Sequence, residues 1–307
     1  MSNREITAEE IAIYLKNVEL PARQQGPLQE NADEILRYGS FVGSTIECHE
    51  RLERAMERAR QHIDSQEKKG ISVQSGRIIL ARSLTASKGR FSRCWHAPPG
   101  GLWGCLIHAN TLTPKSTLLL SLGVGVAACE ALAPYGAAQK HIRWVNDVLI
   151  DGVKVAGFLI EGHRGPRWGE QFHLIGFGIN VNNRNFPEEL QGIATSLQSS
   201  AGVPVDLKQF SISFIAKLAW NIGLLYFVEA RMSKSVAGRS GFRHPVLERW
   251  TELSDTVGKK VVFGHDVVTK PQYSAVVTGV ADDGGLQMML DSGASHTEYS
   301  GEIRYLS

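Results

Sequence analysis

Three stretches carry residues whose types and spacing suit chemistry. The first is Leu84 to Gly101, "LTASKGRFSRCWHAPPGG", which crowds Lys88, Arg90 and Arg93 around Gly89. Backbone N–H groups beside a glycine, with clustered cations, suit a phosphate or a carboxylate. An exposed basic turn has the same composition, and the glycine spacing is neither a Walker loop nor a dinucleotide fingerprint. The second is Ile142 to Gly162, "IRWVNDVLIDGVKVAGFLIEG". Lys154 stands there at the edge of an apolar run. It can snorkel to solvent, or it can meet an anion in an enclosed pocket, where desolvation strengthens its charge. Asn146 and Asp147 are turn formers; Asp147 can also orient a polar group or hold a metal ion. Gly157 marks a close approach of another backbone or of a ligand. The third is "IGFGINVN", in which Gly176, Gly178 and Asn180 alternate along a strand and share one face. That face bares backbone to a flat polar ligand, or else marks a bulge or tight crossing.

Three cations, bare backbone and no nucleophile paired with a base point to one kind of chemistry. It is activation of a carboxylate on a nucleoside triphosphate by positioning and charge stabilisation, without covalent catalysis by the chain.

Elements must position these stretches. A short helix is expected over 7–16, with Thr7 as N-cap and Glu10 completing a capping box. A long charged helix is expected over 47–68, with Leu52, Met56, Ala59 and Ile63 along one narrow apolar face and the charges turned to solvent. Strands follow at 76–83 and 100–110, a buried helix at 117–133, a hairpin at 141–162 and a strand at 172–182. Asp206 caps a long helix reaching Met232, and another helix covers 244–254. From Val257 onward, short strands alternate with Gly- and Asp-containing turns, notably Asp282-Asp283-Gly284-Gly285. The fold class is therefore α+β, with a small all-β unit at the C-terminus.

Bulk properties narrow the field. The chain has 307 residues, 33 Lys and Arg against 31 Asp and Glu, and a net charge of +2, which gives no reason to expect nucleic-acid binding. Cys48, Cys94, Cys105 and Cys129 lack C-x-x-C spacing and read as reduced thiols of a cytoplasmic protein. The charged N-terminus is unlike a signal peptide. The apolar stretch Leu118 to Ala133, broken by Ser and Gly, falls short of the roughly 18 residues of a membrane span, so no membrane partner is expected.

Taken in order, these stretches resemble the biotin protein ligases of the biotin/lipoate ligase superfamily. "TAEEIAIYL" resembles the helix ahead of that family's catalytic domain, and "GST" (43–45) the start of its Ser-Thr-Asn motif. "LTASKGRFSRCWHAPPGGLW" resembles the Gly- and Arg-rich ligand loop. "RWVNDVLIDGVKVAGFLIE" resembles the Lys-Trp-Pro-Asn-Asp motif and the lysine strand, and "GFGINVN" and "SGEI" (300–303) also fit. The resemblance implies an N-terminal arm over 1–43, an adenylating mixed-sheet domain over 44–253 and an SH3-like β-barrel over 254–307. It implies ATP, Mg²⁺ and biotin as reactants and a biotin carboxyl carrier protein, or another biotin-accepting domain, as partner. A homodimer is the assembly it allows.

Carried over position by position, Lys154 would hold the biotin carboxylate and the α-phosphate, with Arg90 as its catalytic companion. Ser44, Thr45, Leu84, Thr85, Trp103, Cys105, Gly157, Gly176 and Gly178 would line the biotin and adenylate pocket. Lys88, Gly89 and Arg93 would complete the loop over the phosphates. Trp95, Asn146, Asp147 and Asn180 would meet the nucleotide, and no protein ligand is assigned to a metal. The chain departs from the family at several positions. Leu84 replaces a Gln, Ser87 and Ser92 replace glycines, Lys88 and Phe91 replace arginines, Ile46 replaces an Asn, Arg143 a Lys and Val145 a Pro. Loss of the Gln and Asn removes polar partners that a ureido ring wants, so a same-fold ligase for lipoate or a fatty acid is the alternative. A third alternative is a binder of biotin or its adenylate that does not catalyse.

Overall fold

The computed structural model describes residues 5–136, 138–232 and 242–306. The first four residues of the N-terminal arm and the last residue of the C-terminal unit lie outside the described residues.

The arm is helical: α1 (Ala8–Tyr14), α2 (Leu20–Arg23) and α3 (Ala32–Gly39). The expected capping box is formed, with the Thr7 side chain accepting from Glu10 N and the Glu10 carboxylate accepting from Thr7 N. The next expectation is overturned. Residues Thr45–Leu52 are a strand, β1, and the helix α4 spans only Ala55–Lys68. β1 pairs in parallel with β2 (Arg77–Leu84), Thr45 opposite Arg77 and Leu52 opposite Leu84. The charges that suggested a solvated helix face instead meet across elements. Glu47 on β1 binds Arg58 of α4 at 2.7 Å and Arg77 of β2 at 3.4 Å, besides His49 of its own strand at 2.7 Å. From Ala55 onward the helical spacing holds. Met56, Ala59 and Ile63 are buried against the sheet, each large side chain contributing about 1.5–3 kcal/mol.

The remaining strands are β3 (Leu102–Ala109), β4 (Lys140–Arg143), β5 (Asp147–Ile150), β6 (Val153–Arg164) and β7 (Gln171–Ile179). The expected hairpin at 141–162 is thus a three-strand meander, because Asn146 and Gly152 both turn the chain. The seven strands lie in the order β1-β2-β3-β7-β6-β5-β4, and every neighbouring pair except β1–β2 is antiparallel. α4 covers one face of this mixed sheet. The other is covered by α5 (Pro114–Leu132) and α7 (Leu207–Met232), the latter capped by Asp206, with α6 (Leu197–Ala201) and α8 (Pro245–Leu253) beside them. By length and composition α5 and α7 are long and apolar enough to cross a membrane, which corrects the reading of 118–133 as too short. Both helices are mostly buried inside this fold.

The C-terminal unit contains β8 (Lys260–Gly264), β9 (Tyr273–Val280), β10 (Leu286–Leu290), β11 (Ser295–Glu298) and β12 (Glu302–Tyr305). They form a small antiparallel sheet in the order β11-β10-β9-β8-β12, open in its hydrogen bonding. The residues of β11, "SHTE", are polar and mostly exposed, so no apolar alternation marks this strand in the sequence. Trp144 Nε1 donates to Gly284 O at 3.3 Å, seating this unit against the larger sheet.

Candidate functional site

A cavity of about 410 Å³ lies between the α4-side face of the sheet, the loop after β2 and the C-terminal unit. Its floor is the bare backbone expected of the alternating glycines. Gly157 on β6 pairs with Gly178 on β7, and Leu159 pairs with Gly176. A Cβ at Gly178 would come within 2.6 Å of Trp95 Nε1, and one at Gly176 within 2.7 Å of Met56 Sδ. The glycines thus let an indole and a thioether lie flat on the strands.

Lys154 is the centre of the polar arrangement. Its Nζ lies 2.6 Å from Asp147 Oδ1 and 5.2 Å from the centroid of the Trp95 ring. Asp147 Oδ2 accepts from Arg143 Nη2 at 2.7 Å. Burial pushes the Asp147 carboxyl up, but the adjacent Lys154 and Arg143 charges more than offset this and hold it below its ordinary value. The carboxylate therefore stays ionised and fixes the ammonium over the floor. The Trp95 indole N–H is buried and finds no hydrogen-bond partner among the described residues, a donor left for an acceptor that enters the cavity.

The loop folds over this floor, held by Leu84 N to Ala97 O at 3.0 Å and Gly89 N to Arg93 O at 2.8 Å. Arg90 Nη1 donates to Gly301 O at 2.7 Å and to Asn146 Oδ1 at 3.4 Å. Burial lowers the Arg90 pKa, countered by the Glu302 and Asp147 charges. Arg93 forks onto Glu302 at 2.9 and 2.8 Å and also binds Asp266. The cation expected over phosphates is therefore engaged by two carboxylates of the C-terminal unit. Asn180 is buried and accepts from Asn183 Nδ2 at 2.9 Å.

Leu84, Lys88, Gly89 and Trp103 line the same cavity, as do Asn146, Asp147 and Asn180. Ser44, Thr45, Thr85 and Cys105 do not. Thr45 begins β1 opposite Arg77, whereas the cavity lies at the Leu84 end, seven residues and about 23 Å away along an extended strand. Thr85 is exposed, its N–H donating to Leu52 O at 3.0 Å. Cys105 is fully buried in the cluster beneath α4, and burial pushes its thiol pKa far up. The place expected for Ser44 and Thr45 is taken by Arg54 and Met56, at the junction of β1 and α4. The sequence signal for them was present in Met56, whose helical spacing marked it as facing the sheet. Among the described residues no group of three or more His, Cys, Asp or Glu side chains could hold a metal ion.

Residues 56–182 match the Biotin/lipoate A/B protein ligase family. The bifunctional ligase/repressor BirA of Bacillus subtilis is 37% identical over 138 residues, which are 44% of this chain and 42% of that protein. The biotin–[acetyl-CoA-carboxylase] ligase of Paracoccus denitrificans is 36% identical over 43% of this chain and 57% of its own length. The chain thus spans roughly half the length of these curated relatives, or less. Among solved structures, biotin protein ligase from Aquifex aeolicus in complex with biotin and ATP superposes with a TM-score of 0.65 at 22% identity, covering 85% of this chain and 98% of that one. The fold is accordingly that of a biotin protein ligase. The segment that matches the biotin/lipoate A/B protein ligase family, 56–182, carries the glycine floor and Lys154.

Proposed function

We propose that this chain activates biotin with ATP and transfers the biotinyl group to a lysine of a biotin-accepting carrier domain. The observation that carries the proposal is Lys154, fixed by Asp147 above the bare backbone of Gly157 and Gly178 and beside Trp95. In the first step a biotin carboxylate oxygen attacks the α-phosphorus of ATP. The new O–P bond forms as the bond to the β-phosphate oxygen breaks, giving biotinyl-5′-AMP and pyrophosphate. Lys154 would lie against both anions as charge builds between them, and the Trp95 N–H would supply a further donor. In the second step the carrier lysine, as a free amine, attacks the acyl carbon. A C–N bond forms, the C–O bond to AMP breaks, and the amine loses a proton. Arg90, Lys88 and Gly89 would shape the lid over the phosphates. The donor set of the cavity is cationic and amide-rich, so Mg²⁺ would come bound to the triphosphate, where it neutralises charge on the leaving pyrophosphate.

The units 1–43, 44–253 and 254–307, an SH3-like curvature of the last, cytoplasmic residence and homodimerisation belong to the same reading. Four free thiols support the compartment. Lys154→Ala should keep the fold, since the side chain is partly exposed, and should abolish biotin-dependent pyrophosphate release from ATP. Release at the wild-type rate would refute the role given to Lys154. Comparing biotin with lipoate and octanoate distinguishes the same-fold alternative, which Leu84 in the cavity wall favours; ligand binding without release would indicate a binder.

A further inference from the structure

The end of α4 remote from the cavity has a chemistry of its own. The helix starts at Ala55, beside the cavity residue Met56, and its last residue, Lys68, stands about 20 Å further along its axis. There it meets the turn between β6 and β7. Glu67, fully buried, accepts from the N–H groups of Arg167 and Trp168 at 2.8 and 3.3 Å. Gly165 N donates to Glu170 O at 2.9 Å, which closes the turn that Glu67 ties to the helix end. Trp168 is 45% exposed on this turn, with the Arg167 guanidinium 5.6 Å from its ring centroid. Arg167 Nη1 lies 3.8 Å from the place a Cβ would take on Gly70, and the next residue, Ile71, is 50% exposed. Arg164 Nη1 lies 3.6 Å from the corresponding place on Gly169. Trp168, Arg167 and Ile71 therefore share one surface, with Lys68, Lys69 and Arg164 around it.

Most of the acids nearby are already engaged. Glu161 is bound by Arg60 and Asp64 by His163, and Glu67 is held beneath the turn. Lys68, Lys69, Arg164 and Arg167 are exposed and form no ion pair with another described residue; Glu170 is the opposing charge on the turn. A Trp ring has an apolar body and one polar edge, which suits it to the boundary between water and lipid. Long cationic side chains around it keep their charge in water while their stems cover apolar surface. A chain reversal and a helix end protrude, so they meet a flat surface, whereas a peptide needs a groove or a free strand edge to lie along. We propose that this face binds an anionic phospholipid surface, with Trp168 and Ile71 entering the headgroup layer and Lys68, Lys69, Arg164 and Arg167 meeting lipid phosphates. α5 and α7 stay mostly buried in the fold, so the chain lies on the bilayer without spanning it. The proposal is independent of the adenylating reading, because none of these residues lines the cavity.

The test is co-sedimentation of the full chain with phosphatidylcholine vesicles and with mixed phosphatidylcholine–phosphatidylserine vesicles, at low and at high salt. It is run on the wild type, on Trp168→Ala and on the double variant Lys68→Gln with Lys69→Gln, with thermal denaturation of each. The wild type should bind the phosphatidylserine vesicles more tightly than the neutral ones and should release them as salt screens the charges. Trp168→Ala should weaken that binding about tenfold, and the double variant should weaken it roughly fivefold for each charge removed. Both variants should melt as the wild type does, because the substituted side chains are exposed. A wild type that binds neutral and anionic vesicles equally overturns the inference, as does a folded Trp168→Ala chain that binds the anionic vesicles unchanged. A wild type that binds a poly-glutamate peptide but neither kind of vesicle also overturns it, and assigns the face to an acidic protein instead.

Discussion

At the level of single residues, the site turns on how one carboxylate holds one ammonium. Asp147 bridges Arg143 at 2.7 Å and Lys154 at 2.6 Å. Both cations hold its pKa down against burial, which acts the other way. The sign follows directly: the ionised pair contributes while the pH is above the range in which Asp147 titrates and is lost as the pH falls through its lowered folded pKa. Asp147→Asn keeps the shape and removes the charge. Lys154 would then be free to leave the floor, and kcat for pyrophosphate release should fall about 10- to 100-fold while the melting temperature moves little. Steady-state kinetics on the variant measures this. An unchanged kcat would return Asp147 to the role of a turn residue.

At the level of elements, the floor works because two neighbouring strands present glycine at the same height. Gly157 and Gly178 are register partners, so the bare patch extends across both strands. In Gly178→Ala the new methyl carbon would stand 2.6 Å from Trp95 Nε1. The ring would have to lift from the strand, loosening the loop that carries Arg90 and Arg93. We expect a raised KM for ATP and a stability loss of about 1–3 kcal/mol, the range for overpacking. ATP titration and urea denaturation read the two effects separately, and a normal KM for ATP would exclude the Trp95 contact from nucleotide binding.

At the level of the whole molecule, two buried histidines tie the layers together and set an acid limit. His108 on β3 stacks with His173 on β7, their centroids 5.9 Å apart, and its Nε2 lies 3.0 Å from the Tyr226 hydroxyl on α7. His244 caps α8 by accepting from Val246 N at 3.1 Å, which requires an unprotonated nitrogen. Burial lowers the His108 pKa to about 3, helped by His173, and lowers that of His244 to about 4, helped by Lys115. Between these values and the ordinary 6.5 the unfolded chain binds more protons than the folded one, so stability must fall as the pH falls, by up to about 1.4 kcal/mol per pH unit for each group. Urea midpoints at pH 7.5 and pH 5.5 test this, and His108→Gln should flatten the dependence. Equal midpoints for the wild type would contradict it.

The sequence by itself determined the order of elements wherever a periodic apolar pattern met a clear cap or turn. Thr7 with Glu10, Asp206 before α7 and the alternating glycines of β7 are such cases, because each signal is local. It also singled out Lys154 and the loop around Gly89 as candidates, since their residue types are unusual where they stand, and the structure places both on one cavity. It misjudged 47–54, where charges that satisfy one another across β1, β2 and α4 look, along the chain, like the polar face of a helix. Only the tertiary structure decided which end of β1 meets the cavity. Parallel pairing with β2 carries Ser44 and Thr45 away from the site and brings in Arg54 and Met56. It alone placed Asp266 and Glu302 on Arg93, across a separation of more than 170 residues. Strand register and long-range ion pairing depend on partners distant in sequence, and no local pattern encodes them.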